Sequence, residues 1–133
     1  CGTIGKVDNC QVGVFAGYVS EYGYALVDKR LFIPEKWFTD DYRERRQKCN
    51  LPEETVFQTK PELAAEMLDA LGKENLLPFK YVLADALYGI SPTFIAAVEA
   101  LPVSMIALMK PPIFAVIKPP ESAQNSISER FPN

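Results

Sequence analysis

With 133 residues, 48% of them hydrophobic and 23% charged, the chain has the size and composition of one globular domain with a core to bury. A net charge of −3 and a pI of 5.0 argue against a module that grips duplex DNA by its own bulk charge. The sequence holds no histidine, which removes Ser–His and Cys–His nucleophiles and imidazole metal sites, so acid, base or metal work falls to carboxylates, Lys, Tyr, Cys or water.

Cys1–Asn9 reads as a polar, glycine-containing lead-in. Cys10–Ser20 then alternates, with Val12, Val14, Ala16 and Tyr18 on one side and Gln11, Gly13, Phe15 and Val19 on the other, the period of a strand. Ser20–Gly23 supplies a turn. Tyr24–Ile33 follows as a second strand with Ala25, Val27, Leu31 and Ile33 on one face, so the pair is predicted to be an antiparallel hairpin. Pro34–Trp37 suits the first turn of a short helix.

Thr39–Cys49 is charged throughout, and Asp41/Arg45 and Glu44/Lys48 stand four apart, as an exposed helix would have them. Its basic residues Arg43, Arg45, Arg46 and Lys48 form either a phosphate-contacting patch or a solvated face. Thr59 and Glu62 make a capping box for a helix whose buried face is Leu63, Met67, Leu68 and Leu71, with Gly72 as its expected end. Tyr81–Ala84 is predicted to be a buried strand, Ser91-Pro92 the start of a helix with Ile95, Val98 and Leu101 inward, and Val103–Met109 a further strand. A strand–helix–strand unit is right-handed with parallel strands, so the fold class is α/β, a mixed sheet of antiparallel hairpin plus parallel strands with flanking helices. Lys110-Pro111-Pro112 recurs as Lys118-Pro119-Pro120 around apolar Ile113–Ile117, and Glu121–Asn133 is polar and predicted to be disordered.

Asp85 is the leading candidate for chemistry. It follows the strand Tyr81–Ala84, and the carboxyl ends of strands are where open α/β sheets gather ligands. As a ligand it suits a hard cation such as Mg²⁺, which needs further oxygens beside it. As structure it caps the turn toward Gly89 or Ser91. Asp28 shares a face with Arg30 and reads as a cross-strand ion pair, Asp40 and Asp41 as helix-opening acids, and Asp8 as a loop residue. Cys1, Cys10 and Cys49 lack a C-x-x-C pairing and are expected to be free thiols in a reducing cytoplasm. No apolar run approaches the ~20 residues of a membrane span. A chain opening on Cys1 is expected to be an interior piece of something longer.

The runs Gly5–Phe15, Ala25–Trp37, Phe57–Ala64 and Val82–Gly89, in that order, resemble the catalytic domain of DDE-type insertion-sequence transposases. The resemblance spans about Gly2 to Pro102. It implies a partial RNase H-like fold with Cys10–Ile33 as its second and third strands and Asp85 as the second carboxylate of a DDE triad. The first Asp would precede Cys1, and the Glu-bearing helix would follow Val103–Met109. Glu121 and Glu129 have no motif around them to mark either as that Glu.

On this resemblance the boundaries are 1–110 for a partial catalytic domain and 111–133 for a divergent Pro/Ser-rich tail. The implied cofactor is Mg²⁺, two ions in the complete enzyme, for cleavage and strand transfer at transposon-end DNA. The implied partners are DNA and other transposase subunits, with no membrane, in a bacterial cytoplasm near the nucleoid. Holding one carboxylate of three, the chain is expected to be inactive in isolation. The alternative is a non-catalytic module derived from a transposase, binding DNA or pairing with subunits. A free-standing Mg²⁺-dependent hydrolase built on Asp85 is the third reading.

Overall fold

A computed structural model describes residues 11–109 and 113–117 of the chain. The architecture is mixed α/β: an antiparallel hairpin, a second small sheet and four α-helices. The lead-in Cys1–Asn9 with Asp8, and Glu121–Asn133, lie outside the described residues.

β1 (Val12–Ser20) and β2 (Gly23–Phe32) form the hairpin that the alternation anticipates. The turn is tighter than expected, leaving only Glu21 and Tyr22 unpaired. Ser20 Oγ holds it, accepting from Tyr22 N at 3.2 Å and donating to the Gly23 carbonyl at 3.4 Å. Gly23, at φ +144°, takes a backbone conformation that a side chain would resist. The predicted inward face of β2 needs correction. Ala16 stands opposite Asp28 but Gly17 opposite Leu26, so Val27 is the extra residue of a β-bulge. The alternation breaks there, and Leu31 turns to solvent while Phe32 packs on the core. Asp28 and Arg30 pair as expected, but along β2 rather than across strands, at 2.5 Å.

Two 3₁₀ turns, Glu35–Phe38 and Asp40–Tyr42, lead into α1 (Arg43–Lys48). The charged helix is therefore shorter than Thr39–Cys49. Asn50, in the left-handed region at φ 51°, ends it, and Leu51 N–H returns to the Arg46 carbonyl at 3.0 Å. Neither Asp41–Arg45 nor Glu44–Lys48 closes. The ion pairs among the described residues are Asp28–Arg30 and Asp69–Lys73.

α2 (Lys60–Glu74) has the predicted capping box, with Thr59 N donating to Glu62 Oε2 at 2.7 Å and Glu62 N to Thr59 Oγ1 at 3.4 Å. These bonds from Thr59, the backbone one first, hold the Glu62 carboxyl below its ordinary 4.5. A depressed folded-state value means stability that is present above 4.5 and lost as pH falls through the folded value. Acid unfolding followed by circular dichroism should therefore show less loss below pH 4.5 in Glu62→Gln, which keeps a capping side chain but does not titrate. Equal acid sensitivity in both proteins would count against it.

Gly72 does not end the helix. Asn75, at φ 51°, does, with its N–H on the Leu71 carbonyl. Gly72 is interior, where glycine costs about 1 kcal/mol against alanine. A Cβ there would lie 2.3 Å from Leu101 Cδ2, so the missing side chain lets α2 approach the end of α4 (Pro92–Glu99) closely.

β3 (Tyr81–Ala84) pairs in parallel with β4 (Ser104–Met109), Tyr81 opposite Ser104 through Ala84 opposite Ala107. β4 pairs antiparallel with β5 (Ile113–Ile117), from the segment assigned by sequence to the tail. The hairpin does not join these strands among the described residues. The single mixed sheet expected from sequence is instead two sheets, ordered β1-β2 and β3-β4-β5.

α2 and α4 bind the two sheets through one core of Val14, Leu63, Ala64, Met67, Phe94, Val98 and their neighbours. In α4, Ser91 Oγ accepts from Phe94 N as N-cap, and Phe94 takes the inward place predicted for Ile95. The opposite side of the sheets is open, with Phe15, Val19, Leu26, Tyr81 and Leu83 all more than half exposed. No helix among the described residues is long and apolar enough to cross a membrane.

Candidate active site

β3 ends at Ala84, and Asp85 turns the chain into α3 (Ala86–Gly89). Asp85 is the N-cap of this turn: Oδ1 accepts from Leu87 N at 2.8 Å, and its carbonyl accepts from Tyr88 N at 3.2 Å and Gly89 N at 3.1 Å. The capping reading thus holds with a different partner, since the side chain bonds Leu87 rather than Gly89 or Ser91. Capping does not exhaust the carboxylate. The residue is exposed, and Oδ2 has no hydrogen-bond partner among the described residues.

Asp85 lines a cleft of about 610 Å³ that lies between β1 and β3. Val14, Ala16 and Val19 come from one strand, Tyr81 and Leu83 from the other, and Met67 of α2 from below. Among the described residues, Asp85 is the only carboxylate on its walls, and no lysine or arginine lines it.

Sequence reading missed Tyr88. Three residues after Asp85, it shares the cleft wall and packs edge-to-face on Phe94, with ring centroids 5.3 Å apart. Burial, and secondarily the Asp85 charge, push its hydroxyl above the ordinary 10.0. It therefore stays a hydrogen-bond donor beside Asp85 across the physiological range. The Asp85-to-Tyr88 spacing, one helical turn, was the signal for it.

Mg²⁺ takes oxygen ligands from carboxylates together with water and substrate phosphates. Asp85 alone does not make such a site, and no cluster of three Asp, Glu, Cys or His side chains exists among the described residues. The residues present do not fit a closed Mg²⁺ centre.

The basic residues Arg43, Arg45, Arg46 and Lys48 are not among the residues that line the cleft, and they differ in exposure and contacts. Arg43 and Lys48 are exposed, and the Arg45 guanidinium lies 5.0 Å from the centre of the Tyr42 ring. Lys36 Nζ is 5.7 Å from the same ring. Arg46 is half-buried and donates Nη1 to the Trp37 carbonyl at 3.0 Å, a structural role in holding α1 to the preceding turn. Cys49 is an exposed free thiol, whereas Cys1 and Cys10 lie outside the described residues.

A family model described as DDE superfamily endonuclease matches residues 1–124. The chain belongs to the DDE superfamily endonucleases. No curated protein and no solved structure matches it. Membership implies DNA as substrate, cleavage as the family's activity and a divalent metal as its usual cofactor. The matched span runs through β5 and past the 110/111 boundary drawn from sequence. In this DDE superfamily chain, Asp85 is the carboxylate that the fold sets at a strand end beside a cleft.

Proposed function

We propose that the chain is part of a transposase catalytic domain, with an incomplete RNase H-like sheet and Asp85 as the middle carboxylate of its triad. The observation that carries this reading is Asp85 at the carboxyl end of β3, one oxygen bound in a cap and the side chain opening on the cleft between β1 and β3. On this reading a further strand, bringing another carboxylate, belongs between those two strands. A later helix brings the third. The chain's own part is to orient Asp85 through Leu87 N, to keep Tyr88 protonated beside it, and to exclude water below with Met67 and Phe94. In a complete triad Asp85 would be one of the carboxylates holding Mg²⁺, and the ion would supply charge to activate the attacking oxygen.

The isolated chain is expected to leave supercoiled DNA intact with Mg²⁺ present, at the rate of a protein-free control. Robust nicking that disappears in Asp85→Ala would refute the incomplete-triad reading.

A second reading, DNA binding through the basic residues, is favoured by exposed Arg43 and Lys48 and by the cationic flanking of Tyr42. Every phosphate that a basic side chain neutralises steepens the salt dependence of binding by about 1 in logarithmic slope. Neutralising Arg43, Arg45 and Lys48 together should flatten that slope accordingly, while Arg46→Gln should act chiefly on stability. An unchanged slope in the triple variant would leave α1 as a solvated face.

A further inference from the structure

Trp37 is the only tryptophan in the chain, and it lies away from the hydrophobic core. Among the described residues, neither Trp37 nor Tyr42 belongs to the core cluster or to the partly buried side chains packed on it. The Trp37 backbone has a structural task, since its carbonyl accepts from Arg46 Nη1, but any residue could supply that carbonyl. The ring is not needed for it. Its centre lies 5.7 Å from that of Tyr42 with the planes inclined at 43°, and both residues are half-buried. The neighbouring aromatics differ, because Phe38 and Phe57 meet each other edge-to-face at 6.1 Å.

Charge sets the class of ligand. The Arg45 guanidinium and Lys36 Nζ lie 5.0 and 5.7 Å from the Tyr42 ring centre, so cations and aromatic rings are interleaved over a few residues. Single-stranded nucleic acid is held by this combination, with bases stacking on flat rings and cations taking the phosphates between them. The guanidinium plane of Arg45 is a further surface on which a base can stack. A duplex hides its base faces and has to be gripped through its phosphates. Here that grip is weak. From Glu35 to Lys48 five basic residues are set against four acidic ones, and Asp40 and Asp41, both exposed, directly precede Tyr42. With six residues, α1 is about 9 Å long, too short to lie along a major groove with phosphate contacts at both ends.

We propose that Trp37 and Tyr42, with Lys36 and Arg45 beside them, form a site separate from the cleft that binds unpaired bases of single-stranded DNA by stacking. It rests on the reading of the basic residues around α1 as a DNA contact, and it narrows that contact from duplex phosphates to exposed base faces.

The test is a fluorescence titration of the 133-residue chain, in which Trp37 is the sole tryptophan reporter. A thymidine oligonucleotide of about ten nucleotides should quench its emission and bind at least about tenfold tighter than a blunt duplex of the same length. Tyr42→Ala should weaken single-strand binding roughly tenfold, whereas Tyr42→Phe, which keeps a flat ring, should stay within about twofold. Tyr42→Leu keeps apolar bulk without the ring and should match the alanine variant, so it carries the test if alanine disturbs folding. Absence of single-strand binding, unchanged emission, equal or tighter duplex binding, or a leucine variant that binds like the unaltered chain would overturn the proposal. Tighter binding of the corresponding uridine oligonucleotide would assign the site to RNA and overturn it as well.

Failure here is separable from failure of the basic-residue reading. A salt slope that flattens on neutralising Arg43, Arg45 and Lys48, with no preference for single strands and no dependence on Tyr42, would keep the phosphate contacts and discard the stacking site. Tyr42-dependent quenching with an unchanged salt slope would do the reverse.

Discussion

Asp85→Asn, in a chain completed by the strand and helix that the catalytic reading calls for, should lower Mg²⁺-dependent nicking of supercoiled DNA on the order of a thousandfold or more. It should do so without a comparable loss of stability. Asparagine is as good an N-cap as aspartate, so the bond from Leu87 N to the side-chain oxygen survives the exchange. What disappears is the negative charge. Asp85→Ala is the less informative variant, because it also removes the cap, at about 1 kcal/mol, and confuses a missing ligand with a loosened turn. The pair of measurements is nicking rate and urea midpoint. Full nicking by the asparagine variant would show that Asp85 is only a cap, and the triad assignment would fall.

Phe94→Ala should cost about 3–5 kcal/mol of folding free energy, a large share of the 5–15 kcal/mol that a domain has in total. Phe94 is 3% exposed, lies in the core with Met67 and Val98, and supports the Tyr88 ring by an edge-to-face contact. Its removal leaves a cavity under the turn that carries Asp85, so the site loosens along with the core. Ile95, next in sequence and only partly buried, is the control. Its truncation should cost clearly less in the same urea titration. Equal losses at the two positions would mean that α4 is rotated about its axis from the arrangement described.

Much of the fold was readable where its cause is local. The capping box at Thr59 and Glu62, the Ser91-Pro92 start of α4 and the alternation of β1 each depend on residues within a turn or two, and each appears as expected. The errors have causes that act over distance. Gly72 looked like a helix end because glycine often is one, yet here it makes room for Leu101, in the turn just past the end of α4. Leu31 looked inward because an unbroken alternation was assumed across Val27. Phe94 and Ile95 both satisfy a helical stripe through Val98, and only packing against Tyr88 selects between them.

The position of Asp85 at the end of an apolar strand was legible, and its cap was one of the two readings offered. Its cleft was not visible, because the walls come from β1 and β3, segments far apart in the chain that come to face one cleft only in the folded molecule. The basic run illustrates the opposite limit. Composition put Arg43, Arg45, Arg46 and Lys48 in one group, whereas the fold gives Arg46 to a backbone carbonyl and Arg45 to an aromatic ring.

Because Val27 is the surplus residue of the bulge, β2 carries a built-in allowance in length. Deleting Val27 alone would leave a regular ladder with Asp28 still opposite Ala16 and Leu26 still opposite Gly17. Deleting a residue on either side would instead invert the facing of everything between it and the bulge, bringing exposed side chains onto the core. Val27 is thus the position in the hairpin where a single-codon gap or insertion is best tolerated, and length variation in this ribbon should collect there.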